Sequence, residues 1–155
     1  MHQVLLSFGS NIADRESNIK KALEHLETEG IEVKKISGMY ETEPWGFSSN
    51  NKFINVVALF NTDKTPEELL MTTEKVEKIL GRTEKSIKGK YKDRIIDIDI
   101  LAYDDELINT NKLIIPHPLM AERRFVIEPL CDILPAWTHP VIGLTAEEML
   151  ARIGY

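Results

Sequence analysis

The chain has 155 residues, of which 43% are hydrophobic and 28% charged, and its net charge at pH 7 is −6. That length and that balance predict a single globular domain over residues 1–155 and exclude a disordered chain. An acidic chain without a basic N-terminal leader or a bilayer-long apolar run is expected to be a cytoplasmic protein with no general affinity for nucleic acid or membrane.

The spacing of apolar residues predicts six regular elements in the order strand, helix, strand, strand, helix, strand. Their predicted bounds are residues 4–8, 14–29, 31–40, 53–60, 65–80 and 94–103. Gly30 is placed to end the first helix, and Thr65 with Glu68 predicts a capping box at the start of the second.

This order is that of a ferredoxin-like βαββαβ core, an α+β fold in which an antiparallel sheet carries both helices on one face. We therefore expect the other face of the sheet to be open. A proline-rich stretch follows over residues 116–140, and Thr145 with Glu148 predicts a short C-terminal helical extension. Residues 41–52 and 82–93 lack a regular pattern, and irregular loops of this length in compact domains are usually functional.

Two carboxylates interrupt the last predicted strand, whose sequence includes Ile96, Asp97, Ile98, Asp99 and Ile100. Side chains alternate along a strand, so Asp97 and Asp99 point the same way, roughly 6.6 Å apart. Because an unpartnered buried charge is costly, something cationic should face the pair. One interpretation is a shared metal site and the other is an edge-strand face turned to water; the apolar isoleucines favour the metal site.

The segment before this strand is cationic. Residues 82–94 hold six basic and two acidic side chains, which gives a local charge of +4 on a chain that is otherwise acidic. A cationic segment beside two carboxylates suits a small polyanion held partly through metal, whereas a solvated lysine loop is the alternative.

Several short motifs follow one another along residues 9–130. They are Gly9-Ser10-Asn11, Tyr40-x-Thr42-x-Pro44-x-Gly46, Phe53-x-Asn55, Gly81-Arg82, Arg94-x-x-Asp97-x-Asp99, Pro116-His117-Pro118 and Arg123-Arg124-Phe125. Each motif alone occurs by chance, but the ordered series resembles that of the 6-hydroxymethyl-7,8-dihydropterin pyrophosphokinases of folate biosynthesis.

The resemblance implies that a pyrophosphoryl group passes from ATP to the hydroxymethyl oxygen of the pterin while AMP leaves. It also implies two Mg²⁺ ions held by Asp97 and Asp99, in keeping with the preference of Mg²⁺ for carboxylate and phosphate oxygens. No covalent protein nucleophile is needed in such a transfer. The expected partners are ATP and the pterin, and we expect a monomer, with a dimer as the alternative.

The resemblance assigns Arg82 and Arg94 to catalysis together with the two aspartates, since guanidinium groups suit phosphates. Strand alternation puts Arg94 on the face opposite Asp97, so Arg94 is expected to precede the regular strand. His117, held between prolines, is implied as a donor to the ATP phosphates. The other implied nucleotide residues are Glu74, Glu77, Lys85, Ile100, Lys112 and Arg123. A solvated helix face explains Glu74 and Glu77 equally well.

A flat heterocycle such as a pterin calls for stacking rings and a group that reads its edge. The resemblance implies Phe53 and Phe125 as the rings and Asn55 as the edge reader. Core packing explains the phenylalanines nearly as well, but Asn55 inside an apolar strand has no ready structural explanation. The loop that lines this pocket would contribute Thr42, Glu43 and Trp45.

The chain departs from the family pattern between the second helix and the last strand. Glu84 stands where the family usually has an arginine, and the segment of residues 88–93 is two residues longer than usual. Lys85, Lys88, Lys90 and Tyr91 therefore all stay open as the loop's phosphate group, and we expect residues 82–93 to close over bound ATP. A ferredoxin-like small-molecule-binding module and a metal-dependent phosphohydrolase are the alternative functions.

Overall fold

A computed structural model describes residues 1–43, 51–81 and 95–154, and the chain there forms a mixed structure of helices and antiparallel sheet. The strands are β1 (His2–Ser10), β2 (Glu32–Ile36), β3 (Tyr40–Thr42), β4 (Phe53–Thr62), β5 (Asp97–Tyr103), β6 (Ile108–Asn109) and β7 (Ile114–Ile115). The helices are α1 (Arg15–Thr28), α2 (Pro66–Ile79), α3 (Arg124–Ile133) and α4 (Ala146–Ile153). Over these three ranges no helix combines the length and the apolar character that a membrane span requires.

The main sheet has the strand order β2-β4-β1-β5, and β3 pairs with β4 beyond the end of β2. All of these pairs are antiparallel. The predicted strand over residues 31–40 is two strands, because the buried Ser37 interrupts the ladder and accepts a hydrogen bond from the Val57 N–H with its hydroxyl oxygen. The strand predicted from residue 94 begins at Asp97 instead.

The predicted helix boundaries of α1 and α2 are confirmed. Asp14 caps α1 by accepting from the Ser17 N–H, and Gly30 follows the helix with a φ of 85°, a conformation that costs glycine little. Thr65 and Glu68 form the expected capping box of α2, with distances of 2.9 and 3.2 Å.

One face of the sheet packs against α1 and α2. The apolar side chains that point to this face alternate along β1, β4 and β5 and are almost fully buried. They include Val4, Leu6, Phe8, Ile54, Val56, Ala58, Phe60, Ile98 and Ile100, and the helices contribute Ile19, Leu26, Leu69 and Val76. This face is the larger part of the core, and at its edge the buried Ser10 of β1 accepts a hydrogen bond from Asn18 Nδ2 of α1 at 3.2 Å.

The prediction that the second face is open is wrong. Leu5, Val57 and Leu101 point to it and are covered by α3 and α4. Since both faces of β1, β4 and β5 carry apolar residues, both must be covered to remove them from water. The proline-rich stretch contains a helix that the sequence pattern does not predict, α3, which holds the buried Pro129 within it.

Candidate active site

A row of residues on the second face of the sheet lies near the residues with which α3 begins, and we call the space in front of this row the groove. By strand register, Gly9 of β1 sits between Asn55 of β4 and Asp97 of β5. A Cβ atom at Gly9 would lie 3.4 Å from Asn55 Oδ1 and 3.4 Å from Phe53 Cδ1. A side chain at Gly9 would therefore occupy the space in front of Asn55 and Phe53.

The carboxylates of Asp97 and Asp99 border this groove. Both residues are half-buried and alternate in β5 with the buried Ile98 and Ile100, so the two carboxylates share the second face while the isoleucines pack on the first. Gly9 and Ser7 are their partners on β1. The regular start of β5 at Asp97 gives both residues the same strand geometry.

Among the described residues, Arg123 places a cationic side chain beside Asp99. It is 6% exposed, and its Nη1 lies 3.8 Å from Asp99 Oδ2. Its Cζ also lies 5.4 Å from the centre of the half-buried Phe125 ring. Because Arg123 directly precedes α3, the helix brings a buried positive charge and an aromatic ring to the groove together.

His117 is fixed on the outer edge of β5, where its backbone N–H donates to the Leu101 carbonyl at 2.9 Å. Its Nδ1 accepts from the Leu119 N–H at 3.2 Å, so the neutral ring carries its proton on Nε2. Burial, helped by the charge of Arg123 and opposed by Asp97, lowers the pKa of His117 to about 4. At neutral pH the ring is therefore an uncharged N–H donor.

A cavity of about 300 Å³ runs along the same edge of β5. Three residues predicted to bind the nucleotide line it, Ile100, Lys112 and His117, together with the predicted metal ligand Asp99. Leu70 of α2 lines its apolar side, and Lys112 comes from the exposed turn between β6 and β7. Since Asp99 also borders the groove, the cavity and the groove meet at this carboxylate.

Glu77 has a structural role that sequence reasoning missed. It is 2% exposed, and its Oε2 accepts from the Ile98 N–H at 2.9 Å. The alternative of a solvated helix face is therefore wrong for Glu77. Glu74, on the same helix, is half-buried and so remains partly in contact with solvent. The bond fixes the outer edge of β5 between the two aspartates. Helical spacing from Leu69, Thr73 and Val76 was the signal that could have found it.

The amide of Asn55 is oriented across the groove from the aspartates. It is 6% exposed, and its Nδ2 donates to Thr42 Oγ1 at 2.6 Å. Asn55 Oδ1 then faces Gly9 as an acceptor, and the Thr42 hydroxyl keeps a proton to donate. Thr42 is paired with the half-buried Phe53.

Several predicted site residues are not part of this geometry. Glu43 is exposed, and its Oε1 lies 3.5 Å from Lys52 Nζ. The predictions for Trp45, Arg82, Lys85 and Arg94, and for closure of the loop over ATP, lie outside the described residues.

A second group of possible metal ligands, His2, Asp104 and Glu106, lies at the other end of β5. Asp104 already uses both carboxylate oxygens in local contacts, at 2.7 Å to His2 Nδ1 and 2.8 Å to the Gln3 N–H. These bonds close the turn after β5, where Asp104 has a φ of 48°. We assign this group to the turn and not to a metal.

Comparison with known proteins identifies relatives over most of the chain. The model of the 7,8-dihydro-6-hydroxymethylpterin-pyrophosphokinase family matches residues 5–135. A 2-amino-4-hydroxy-6-hydroxymethyldihydropteridine pyrophosphokinase of Aquifex aeolicus is 46% identical over 141 residues, covering 91% of this chain and 86% of the relative. One of Methylorubrum extorquens is 37% identical and covers 99% of this chain and 94% of the relative.

Two solved structures have a fold similar to that of this chain. A Plasmodium falciparum HPPK-DHPS triple mutant with STZ-DHP superposes with a TM-score of 0.77 at 15% identity, covering 97% of this chain and 43% of that chain. The wild type of the same protein with SDX-DHP gives a TM-score of 0.75 at 16% identity, covering 97% of this chain and 44% of that one.

Proposed function

The chain belongs to the 7,8-dihydro-6-hydroxymethylpterin-pyrophosphokinase family, the pyrophosphokinases of folate biosynthesis, and we propose that its groove and its cavity are the two substrate sites of that reaction. The observation that carries the proposal is the position of Asp99, which borders the groove on one side and lines the cavity on the other. The acceptor oxygen and the triphosphate would meet at this carboxylate.

The groove is the proposed pterin site. Asn55 Oδ1 accepts from the donors of a pterin edge, and the Thr42 hydroxyl donates to an acceptor of that edge. Phe53 and Phe125 supply apolar ring faces, a combination suited to a flat and polar heterocycle. Glu43 and Trp45 stay proposals as further residues of this pocket.

The cavity is the proposed ATP site. Ile100 and Leu70 offer an apolar surface for the base, and Lys112 and His117 offer donors to the phosphates. Because His117 is neutral with its proton on Nε2, it stabilises phosphate charge by donation alone. Glu74, Glu77, Arg123, Lys85, Arg82 and Arg94 complete the proposed nucleotide residues.

Asp97 and Asp99 fit a magnesium site. They offer hard oxygen donors on one face of one strand, are half-buried, and adjoin the proposed phosphate cavity. We assign two Mg²⁺ ions to them, shared with the phosphates. When bound, these ions would neutralise charge on the attacking and leaving oxygens.

The residues of the chain then act by binding and orientation. Asn55 and Thr42 hold the pterin with its hydroxymethyl oxygen toward the phosphates, and His117 and Arg123 compensate phosphate charge. The hydroxymethyl oxygen forms a bond to the β-phosphorus, and the bond between that phosphorus and the oxygen of the leaving AMP breaks. Fixing both reactants in one orientation removes much of the entropic barrier of a two-substrate reaction.

Our finer assignments of the fold and the assembly rest on membership of the same family. The strand order β2-β4-β1-β5, with α1 and α2 on one face, supports a ferredoxin-like core. We assign α3 and α4 to a C-terminal extension of that core. A single domain, a monomeric state and a cytoplasmic location stay predictions.

Formation of AMP from ATP and Mg²⁺, with and without the hydroxymethyl dihydropterin, tests the function. The pyrophosphokinase produces AMP only when the pterin is present. A phosphohydrolase would release its product in both reactions, and a binding module would release none.

A further inference from the structure

Helix α3 contacts the groove at one end and the short strand β3 at the other. Arg123 and Phe125 are at its beginning, and Asp132 lies in its last turn. Both carboxylate oxygens of Asp132 accept hydrogen bonds from residues at the start of β3 or just before it. Asp132 Oδ1 accepts from Tyr40 Oη at 2.6 Å, and Asp132 Oδ2 accepts from the Gly38 N–H at 3.2 Å.

The Tyr40 hydroxyl is a committed donor in this contact. The hydrogen bond to Asp132, followed by burial, raises the pKa of Tyr40 to about 12. The phenol therefore keeps its proton throughout the neutral range. A short bond from a hydroxyl to a carboxylate belongs to the stronger class of protein hydrogen bonds.

Tyr40 is directly connected to the proposed pterin site through β3. It is the register partner of Asn55, and Thr42, two residues later, is the partner of Phe53. Thr42 in turn accepts the bond that orients the Asn55 amide. Since β3 has three residues and pairs with β4 alone among the described strands, Asp132 is a substantial part of what fixes Thr42.

We propose that Tyr40 and Asp132 are positioning residues that set the width of the pterin groove, an inference that rests on the proposed function. Their contact ties the helix that carries Phe125 to the strand that carries Thr42. The two walls of the groove are thereby held at a fixed separation. Pterin binding can therefore depend on Tyr40 and Asp132 although neither residue contacts the pterin.

The test uses Tyr40→Phe and Asp132→Ala in the full chain, with pterin binding measured by calorimetry in the presence of a saturating nonhydrolysable ATP analogue. Each change should raise the pterin Kd and KM about tenfold, the size expected for loss of one charge-assisted hydrogen bond. The ATP affinity should stay within about twofold in both variants. The double variant should be no weaker than Asp132→Ala alone, because that change already removes the bond from Tyr40. Asp132→Asn, which keeps one acceptor oxygen, should restore part of the pterin affinity.

Tyr103→Phe is the matched control. Its hydroxyl donates to the Lys64 carbonyl at 2.7 Å, near the other end of the sheet. That variant should lose thermal stability and keep the pterin KM. If Tyr40→Phe and Asp132→Ala likewise leave the pterin KM unchanged, or weaken both substrates equally, the positioning role is overturned. Failure of the wild type to form AMP with the pterin would overturn the proposed function instead.

Discussion

At the end of the sheet where Asp97 lies, the two faces of β1, β4 and β5 differ in character although they are built from neighbouring residues. Phe8, Val56 and Ile98 point to the first face and are closed in by α1 and α2. Their neighbours Gly9, Asn55 and Asp97 meet in a row on the second face, beside a groove. Because side chains alternate along a strand, one strand can supply the core and the reactive groups at the same time. Substitutions one residue apart should therefore separate folding from catalysis.

The largest difference between the effect on catalysis and the effect on folding is expected at β5. Asp97→Asn and Asp99→Asn keep the shape of the side chains and remove their charges, so transfer should fall by about 1,000-fold or more while the fold persists. Loss of the Asp97 charge should leave the melting temperature unchanged or raised, whereas Asp99→Asn takes a carboxylate away from the buried Arg123 and should lower it. AMP formation at saturating Mg²⁺ and thermal unfolding provide the two measurements. Turnover near that of the wild type in either variant would contradict a metal site at these two aspartates.

The next contrast is between adjacent residues of β4. Val56→Ala should lower the free energy of unfolding by about 2 kcal/mol through lost burial and an unfilled cavity, with little change in the pterin KM. Asn55→Ala should raise the pterin KM by roughly 10-fold to 100-fold, because it removes both the edge reader and the partner of Thr42. Urea unfolding and steady-state kinetics on the pair check this. The two faces would not differ as described if both variants lost stability and affinity alike.

A smaller and pH-dependent effect is expected at His117. The pKa of His117 is lowered to about 4 in the folded chain. Between about pH 6.5, the ordinary pKa of histidine, and pH 4, the unfolded chain therefore binds a proton that the native chain does not. The contribution of His117 to stability is present above about pH 6.5 and is lost as the pH falls toward 4. The wild type should lose about 1–2 kcal/mol more than His117→Gln over this interval, since the half-buried ring keeps part of its hydration. Parallel unfolding curves for the two proteins would contradict the assignment.

Local signals in the sequence predicted much of the molecule. The capping box of Thr65 and Glu68 and the position of Gly30 depend on neighbouring residues alone, and both helix boundaries are confirmed. The placement of Asp97 and Asp99 on one face of the strand also follows from local geometry, and β5 has this alternation.

What the sequence did not predict depends on tertiary contacts. The proline-rich stretch gave no prediction of α3, but the apolar second face needed a cover and the helix forms with Pro129 inside it. Glu77 was assigned by resemblance alone, because its bond to the Ile98 N–H joins residues 21 positions apart. The contact between Tyr40 and Asp132 spans 92 positions and has no local pattern.

Paramagnetic broadening by Mn²⁺ tests the central claim, that metal and nucleotide are held at the Asp97 end of the second face. The wild type is labelled with ¹⁵N and titrated with substoichiometric Mn²⁺ in the presence of a nonhydrolysable ATP analogue. We predict that the amide signals of Gly9 and Asp99 broaden first, that those of Gln3 and Asp104 stay sharp, and that Asp97→Asn removes the effect. Broadening centred on Gln3 and Asp104 would contradict the account, since those residues adjoin the other group of possible ligands.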